Sequence, residues 1–135
     1  MLLKTALFFS LVAAPVAVNA ATCTEGIWLN PSRSVAVRTG ACGQGLCGRV
    51  VWASGKALAD AQDSGVTSLI GTELLHDYRA EGPVWRGSVY VPDMGRHFDS
   101  RIEALSPDRL KISGCILGGI FCRSQVWTRV AQVPA

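Results

Sequence analysis

The chain holds two histidines, each close to a carboxylate: His76 precedes Asp77, and His97 lies two residues before Asp99. An imidazole held by a carboxylate is the usual general base. It needs that carboxylate on the same side of the backbone, and a substrate within hydrogen-bond reach. Both pairs fall in segments that read as β-strand, where neighbouring side chains point to opposite faces. His76 and Asp77 are therefore expected on opposite faces. His97 and Asp99 share one face, and the alternation of Phe98 with its neighbours puts that face toward solvent. Ser88, Ser100 and Ser124 offer hydroxyls, but no G-x-S-x-G elbow surrounds any of them. Asp60 and Asp63 before Gly65 are too few oxygen ligands for a calcium loop. No glycine-rich phosphate loop follows a strand and opens a helix. The pattern points away from an enzyme, with no catalytic residue, metal or cofactor expected.

The five cysteines carry the other chemistry. Cys42 and Cys47 flank Gly43-Gln44-Gly45-Leu46, and Cys115 and Cys122 flank Ile116 to Phe121. Neither spacing is C-x-x-C and no histidine lies nearby, which argues against a redox or metal motif. Each pair reads instead as a bridge beside a hairpin turn, stabilising by roughly 2 kcal/mol for loops this short. Cys23 is left over, either free, in exchange with the others, or available for a disulfide-linked dimer or an envelope protein partner.

Residues 1–20 read as an export signal: Lys4, the uncharged run Thr5 to Val18, and a small-residue cleavage site at Val18-Asn19-Ala20. The run is shorter than the ~20 apolar residues of a membrane span, and Pro15 interrupts it. No integral membrane segment is expected in the mature chain. Thr22 before Cys23 argues against lipidation. Residues 21–135 form one domain, expected in the periplasm, where disulfides persist. The chain has 13 basic and 10 acidic residues. The basic ones are scattered along the sequence, which argues against nucleic acid or an anionic membrane as partner.

Turn signals at short spacing predict an all-β fold. Asn30-Pro31-Ser32, Gly43-Gln44-Gly45, Pro92-Asp93-Met94-Gly95, Ser106-Pro107-Asp108 and Leu117-Gly118-Gly119 separate about eight strands, one of them near Thr72–Tyr78. The interruption Ser54 to Ser68 reads as a helical turn or a lid. If the first disulfide joins directly opposed residues, Val37 faces Trp52 and Thr39 faces Val50. That puts Val37, Val50 and Trp52 inside, and Arg38 and Arg49 outside with the cysteines. Trp85, Val89 and Val91 alternate with Arg86, Ser88 and Tyr90. Phe98, Ile102 and Ala104 alternate with charged residues, too many for a lipid-facing barrel wall. The second disulfide sets Leu110 opposite Trp127, Ile112 opposite Gln125, and Gly114 opposite Arg123. If that face points inward, Arg123 and Gln125 are polar groups in an apolar cup, placed to orient one end of a ligand. If it points outward, they are ordinary surface residues.

Gly26-Ile27-Trp28 at the first strand and Trp127-Thr128-Arg129 at the last complete the pattern. In a closed sheet these strands are neighbours. Trp28 can then stack on Arg129, with Arg123 the competing partner, for about 0.5–2 kcal/mol. A G-x-W opening with a late arginine resembles lipocalin and fatty-acid-binder barrels. The ordered motifs resemble the bacterial periplasmic family called domain of unknown function 2147. They are Gly26-Ile27-Trp28 with Asn30-Pro31; Leu46-Cys47-Gly48-Arg49-Val50-Val51-Trp52; Leu69-Ile70-Gly71; Trp85-Arg86-Gly87; Val91-Pro92-Asp93 with Gly95 and Phe98; Leu110-Lys111 with Gly114; and Gln125-Val126-Trp127-Thr128-Arg129. Between Lys56 and Val66 the chain departs from the commoner pattern, which has an Asn-Pro and an arginine-rich stretch. The resemblance implies a small up-and-down antiparallel lipocalin-like barrel, exported, with no activity to carry over.

The expected function is binding of a small hydrophobic or amphipathic ligand inside the barrel. Val37, Val50, Trp52, Trp85, Val89, Phe98, Ile102 and Ile112 are the candidate lining. Arg123 or Gln125 would meet a polar end, and Trp28 with Arg129 would close the base. The alternative is a cell-envelope structural or interaction module with a filled core.

Overall fold

The computed structural model describes residues 10–13 and 24–135. The predicted export signal lies largely, and Cys23 wholly, outside the described residues. Eight antiparallel strands close into one barrel in sequence order. They are β1 (Gly26–Leu29), β2 (Val35–Cys42), β3 (Gly45–Ala53), β4 (Glu73–Glu81), β5 (Val84–Val91), β6 (Arg96–Ser106), β7 (Arg109–Ile116) and β8 (Phe121–Val130). Each turn lies where a Gly, Pro or Asn cluster interrupts the alternation. A helix, α1 (Gly55–Asp63), fills the long β3–β4 connection. It starts at Ser54, whose hydroxyl accepts the Ala57 amide, an N-cap that satisfies one of the first-turn donors. Ala57, Ala61 and Val66 pack against the barrel core.

Antiparallel order puts alternate turns at opposite ends. The β2–β3, β4–β5 and β6–β7 turns share one end with Thr24 and the C-terminal residues. The Asn30–Ser34 turn, α1, the β5–β6 turn and the β7–β8 turn surround the other. The core fills the first end and the middle: Trp28, Val37, Leu46, Val50, Leu75, Tyr78, Trp85, Ile102, Leu110 and Ile112 are all buried.

The last hairpin has the expected register. Cys115 pairs with Cys122, Gly114 with Arg123, Ile112 with Gln125 and Leu110 with Trp127; the Cys115–Cys122 disulfide joins directly opposed positions. The β2–β3 hairpin differs. Its turn is only Gly43-Gln44, so Cys42 pairs with Gly45 and Cys47 with Gly40. The Cys42–Cys47 disulfide therefore links diagonal positions. Val37 consequently faces Val50, and Thr39 faces Gly48. A slip of two residues keeps each of these side chains on its predicted face. Trp52 does change face. An extra residue in β3 makes a bulge opposite Ala36 and Val37, so Trp52 pairs with Ala36 while the next pair, Val35 and Ala53, packs in the core. Trp52 thus points out and lines no part of the interior. Ala104 is exposed as well, beside a register shift near the end of β6.

Two further irregularities shape β4. A residue is added between Glu73 and Leu75 relative to β3. Another is added between His76 and Arg79 relative to β5, where Asp77 takes a left-handed φ of 46°. His76 and Asp77 are therefore both exposed, rather than on opposite faces. Gly87 lies opposite this second bulge. A Cβ there would sit 2.7 Å from the His76 carbonyl oxygen and the Tyr78 ring, so only glycine admits Tyr78 to the core at that depth.

Candidate functional site

The closed end is built around Trp28. Its ring is buried, and its Nε1–H lies 3.1 Å from Thr39 Oγ1 and 3.2 Å from the Thr24 carbonyl. Thr39 in turn donates to the Thr24 carbonyl. β1 pairs with β8 so that Trp28 stands opposite Arg129, whose guanidinium carbon lies 4.3 Å from the ring centroid. Arg129 also donates from Nη1 to the Glu25 carbonyl at 2.6 Å, and from Nε to the Pro107 carbonyl at 2.8 Å. One side chain thus ties the lead into β1, the β6–β7 turn and the Trp28 ring together. Gly26 makes room for it: at φ +146°, a Cβ would fall 2.3 Å from Arg129 Nη1. Arg123, the other candidate partner for Trp28, stands at the opposite end.

Above the core, the β5–β8 side of the barrel opens into a cup. Its larger part, about 440 Å³, is lined by Val89, Val91, Met94, Phe98, Gly114, Ile116, Phe121 and Arg123. A contiguous part of about 200 Å³ reaches Leu74, Leu75, Ile112, Gln125 and Trp127. Volumes of this size suit a small ligand. Arg123 and Gln125 are the polar side chains of this wall. Gln125 Oε1 accepts the Trp127 indole N–H at 3.0 Å, which leaves the amide group as its remaining donor. Among the predicted lining residues, Val89, Phe98, Ile112, Arg123 and Gln125 meet in the cup. Val37, Val50, Trp85 and Ile102 belong to the filled core below it.

β1 explains why the cup opens on this side. It pairs with β8 only through Ile27–Val130, Trp28–Arg129 and Leu29–Thr128. Among the described residues, the mouthward part of β8, from Phe121 to Trp127, has a strand neighbour on the β7 side alone. A second cleft of about 260 Å³ lies between α1 and the β5–β6 turn, lined by Ala57, Asp60, Ala61, Leu69, Leu74, Pro92 and Asp93 among others.

The candidate acid–base residues lie elsewhere. His76 contacts Glu73 through Nδ1, a pairing made possible by the added residue in β4. Glu73 also bonds Arg49 at 2.9 Å, and Asp77 bonds Arg79 at 2.9 Å. His97 packs against Tyr90, with ring centroids 4.9 Å apart, and near His76 at 5.8 Å. These groups are on the outer wall. Asp60 is engaged by Lys56 at 2.7 Å. Among the described residues no group of three or more His, Cys, Asp or Glu could hold a metal ion. Ser113 and Ser124 bond each other at 2.8 Å. Ser100 is buried, and its Oγ accepts the Tyr78 hydroxyl at 2.6 Å. Burial of Tyr78 pushes its pKa up, opposed in part by the Ser100 hydrogen bond. This buried pair was not legible in the sequence, because Tyr78 reaches the interior through the bulge at Asp77.

Comparison with known proteins agrees with this architecture. The protein HP1028 from Helicobacter pylori, described as belonging to the lipocalin family, superposes with a TM-score of 0.58 over 79% of this chain and 82% of its own, at 13% identity. At that identity the likeness concerns the fold. No curated protein matches the chain in sequence. No helix among the described residues is long and apolar enough to cross a membrane. Residues 26–129 match a family described as uncharacterized protein conserved in bacteria, DUF2147, and the chain belongs to that family, folded as an eight-stranded lipocalin-like barrel.

Proposed function

We propose that the protein is a non-enzymatic binder that holds a small amphipathic molecule in the cup between β5 and β8. The observation that carries this reading is the cup's composition: an apolar lining with Arg123 and Gln125 on one wall. Both present donors, which favours a ligand whose polar end is anionic or carbonyl-like. The ligand's apolar part would lie along Val89, Val91, Phe98 and Ile112, above the packed apolar core. Lipid extraction and mass spectrometry of natively purified protein test the reading, together with titration by a fluorescent fatty acid. Retention of an amphipathic species, and an affinity about tenfold lower in Arg123→Ala, support it. No bound species and no saturable titration would overturn it.

The two disulfides fit an oxidising compartment. We place the mature protein, from Ala21 onward, in the periplasm. The intact mass of the exported form tests that placement, and a non-reducing gel of Cys23→Ser beside the parent tests a disulfide-linked partner. An envelope interaction module is the second reading, favoured by the filled lower barrel. A disulfide-linked complex lost in Cys23→Ser, in protein that binds no small molecule, would select it.

A further inference from the structure

The exposed large apolar residues of the barrel are gathered unevenly. Met94 on the β5–β6 turn and Ile116, Leu117, Ile120 and Phe121 on the β7–β8 turn are all exposed. The two turns meet at the mouth, since Met94, Ile116 and Phe121 line the same cavity. Leu117 and Ile120 form the outermost tip, 67% and 76% exposed. The tip is a tight turn: Leu117, Gly118 and Gly119 have φ of 53°, 66° and 93°, and the Cys115–Cys122 disulfide closes its base. A turn held this way loses little conformational freedom on docking.

The charges around the mouth are also divided. Arg96 follows Met94, its guanidinium 5.5 Å from the Phe98 ring centroid, and Arg123 follows the tip. No Asp or Glu occurs from residue 109 onward; of the basic residues in that stretch Arg123 stands at the mouth, while Arg109 and Arg129 lie at the closed end. Of the acidic groups, Asp93 stands on the β5–β6 turn itself, beside Met94, while Asp60 lines the cleft on the α1 side and Asp63 ends that helix.

We propose that this side of the mouth docks on an anionic lipid surface, with the Leu117–Ile120 tip and Met94 entering the interface and Arg96 and Arg123 meeting lipid phosphates. Interfacial binding combines buried apolar area with attraction to anionic headgroups. An ordinary protein partner would cover roughly 800 Å² with a core and a polar rim, whereas these turn tips offer a few apolar side chains backed by cations. The acidic helix side sets the orientation, turned away from the membrane. The inference stands on the rim and does not require the cup to hold a ligand.

Sedimentation of the full mature protein with phosphatidylcholine vesicles, with and without phosphatidylglycerol, tests it. Binding is expected with phosphatidylglycerol, and is expected to weaken as salt is raised. Leu117→Ser/Ile120→Ser should lower the affinity about tenfold, and Arg96→Gln about fivefold. Neither variant should change the thermal melt or the fluorescent fatty-acid titration, which separates failure of docking from failure of the cup. Absence of vesicle binding by the parent protein, or equal binding by the double variant, would overturn the proposal. So would a dimer in solution that the double variant abolishes, since a second copy would then be the occupant.

Discussion

Trp28 and Trp127 both point into the barrel, and their surroundings differ in almost every respect. Trp28 is buried, stacked on Arg129, and bonded by its indole N–H to Thr24 and Thr39. Trp127 is half-buried, donates its indole N–H to the nearby Gln125, and borders open space. The difference follows from where the short β1 strand lies. At the closed end β1 completes the ring, and side chains from opposite walls meet. Toward the mouth it is missing, and the β5–β8 wall faces a cup. Residues of the same types at the same alternation therefore become core at one end and lining at the other.

Substitutions can separate the two regions. Trp28→Ala should have the largest effect, about 3–5 kcal/mol in equilibrium denaturation, because no neighbour can fill the space of the ring. A loss below ~1 kcal/mol would show that the closed end does not anchor the fold. Arg129→Lys keeps the charge but loses the planar fork that reaches Glu25, Pro107 and the Trp28 face at once. It should cost about 1–2 kcal/mol by the same measurement.

Tyr78→Phe, midway up the barrel, should cost about 1 kcal/mol and alter the alkaline behaviour. The native pKa of Tyr78 is raised, so its contribution is full below the ordinary tyrosine pKa of about 10 and is lost as pH rises toward the native value. The difference in stability between parent and Tyr78→Phe should therefore be flat below about pH 10 and shrink above it. A difference that stays constant to higher pH would mean that Tyr78 ionises equally in both states.

The smallest effect on stability is expected at the mouth. A Cβ on Gly114 meets only Val89, at 3.4 Å. Gly114→Phe should leave stability within about 1 kcal/mol and abolish the fluorescent fatty-acid titration by filling the cup. Unchanged titration would place the ligand elsewhere.

The strand count, the barrel class and the β7–β8 register were legible in the sequence, because turn residues and alternation are local signals. The second disulfide joins directly opposed residues, so its spacing gives the register. The first joins diagonal ones across a two-residue turn, and the same reasoning misses by two. Trp52 was misplaced for a different reason. A bulge adds one residue without any local signature, and Val51-Trp52 reads as continuous alternation. The bulges in β4 hid the Tyr78–Ser100 bond and the Glu73–His76 contact in the same way. The division between core and cup was not legible either. It depends on how far β1 extends along β8, which is a property of two segments about a hundred residues apart.

That short seam also has a mechanical consequence. β1 and β8 are stitched together by three residue pairs, all at the closed end. The barrel is hooped at its base and split at its rim, much as a collet is. Opening the rim by a small outward swing of the β7–β8 hairpin breaks no β1–β8 hydrogen bond, while widening the base would break all of them. The mouth can thus change its width without any adjustment of the packed layer beneath it.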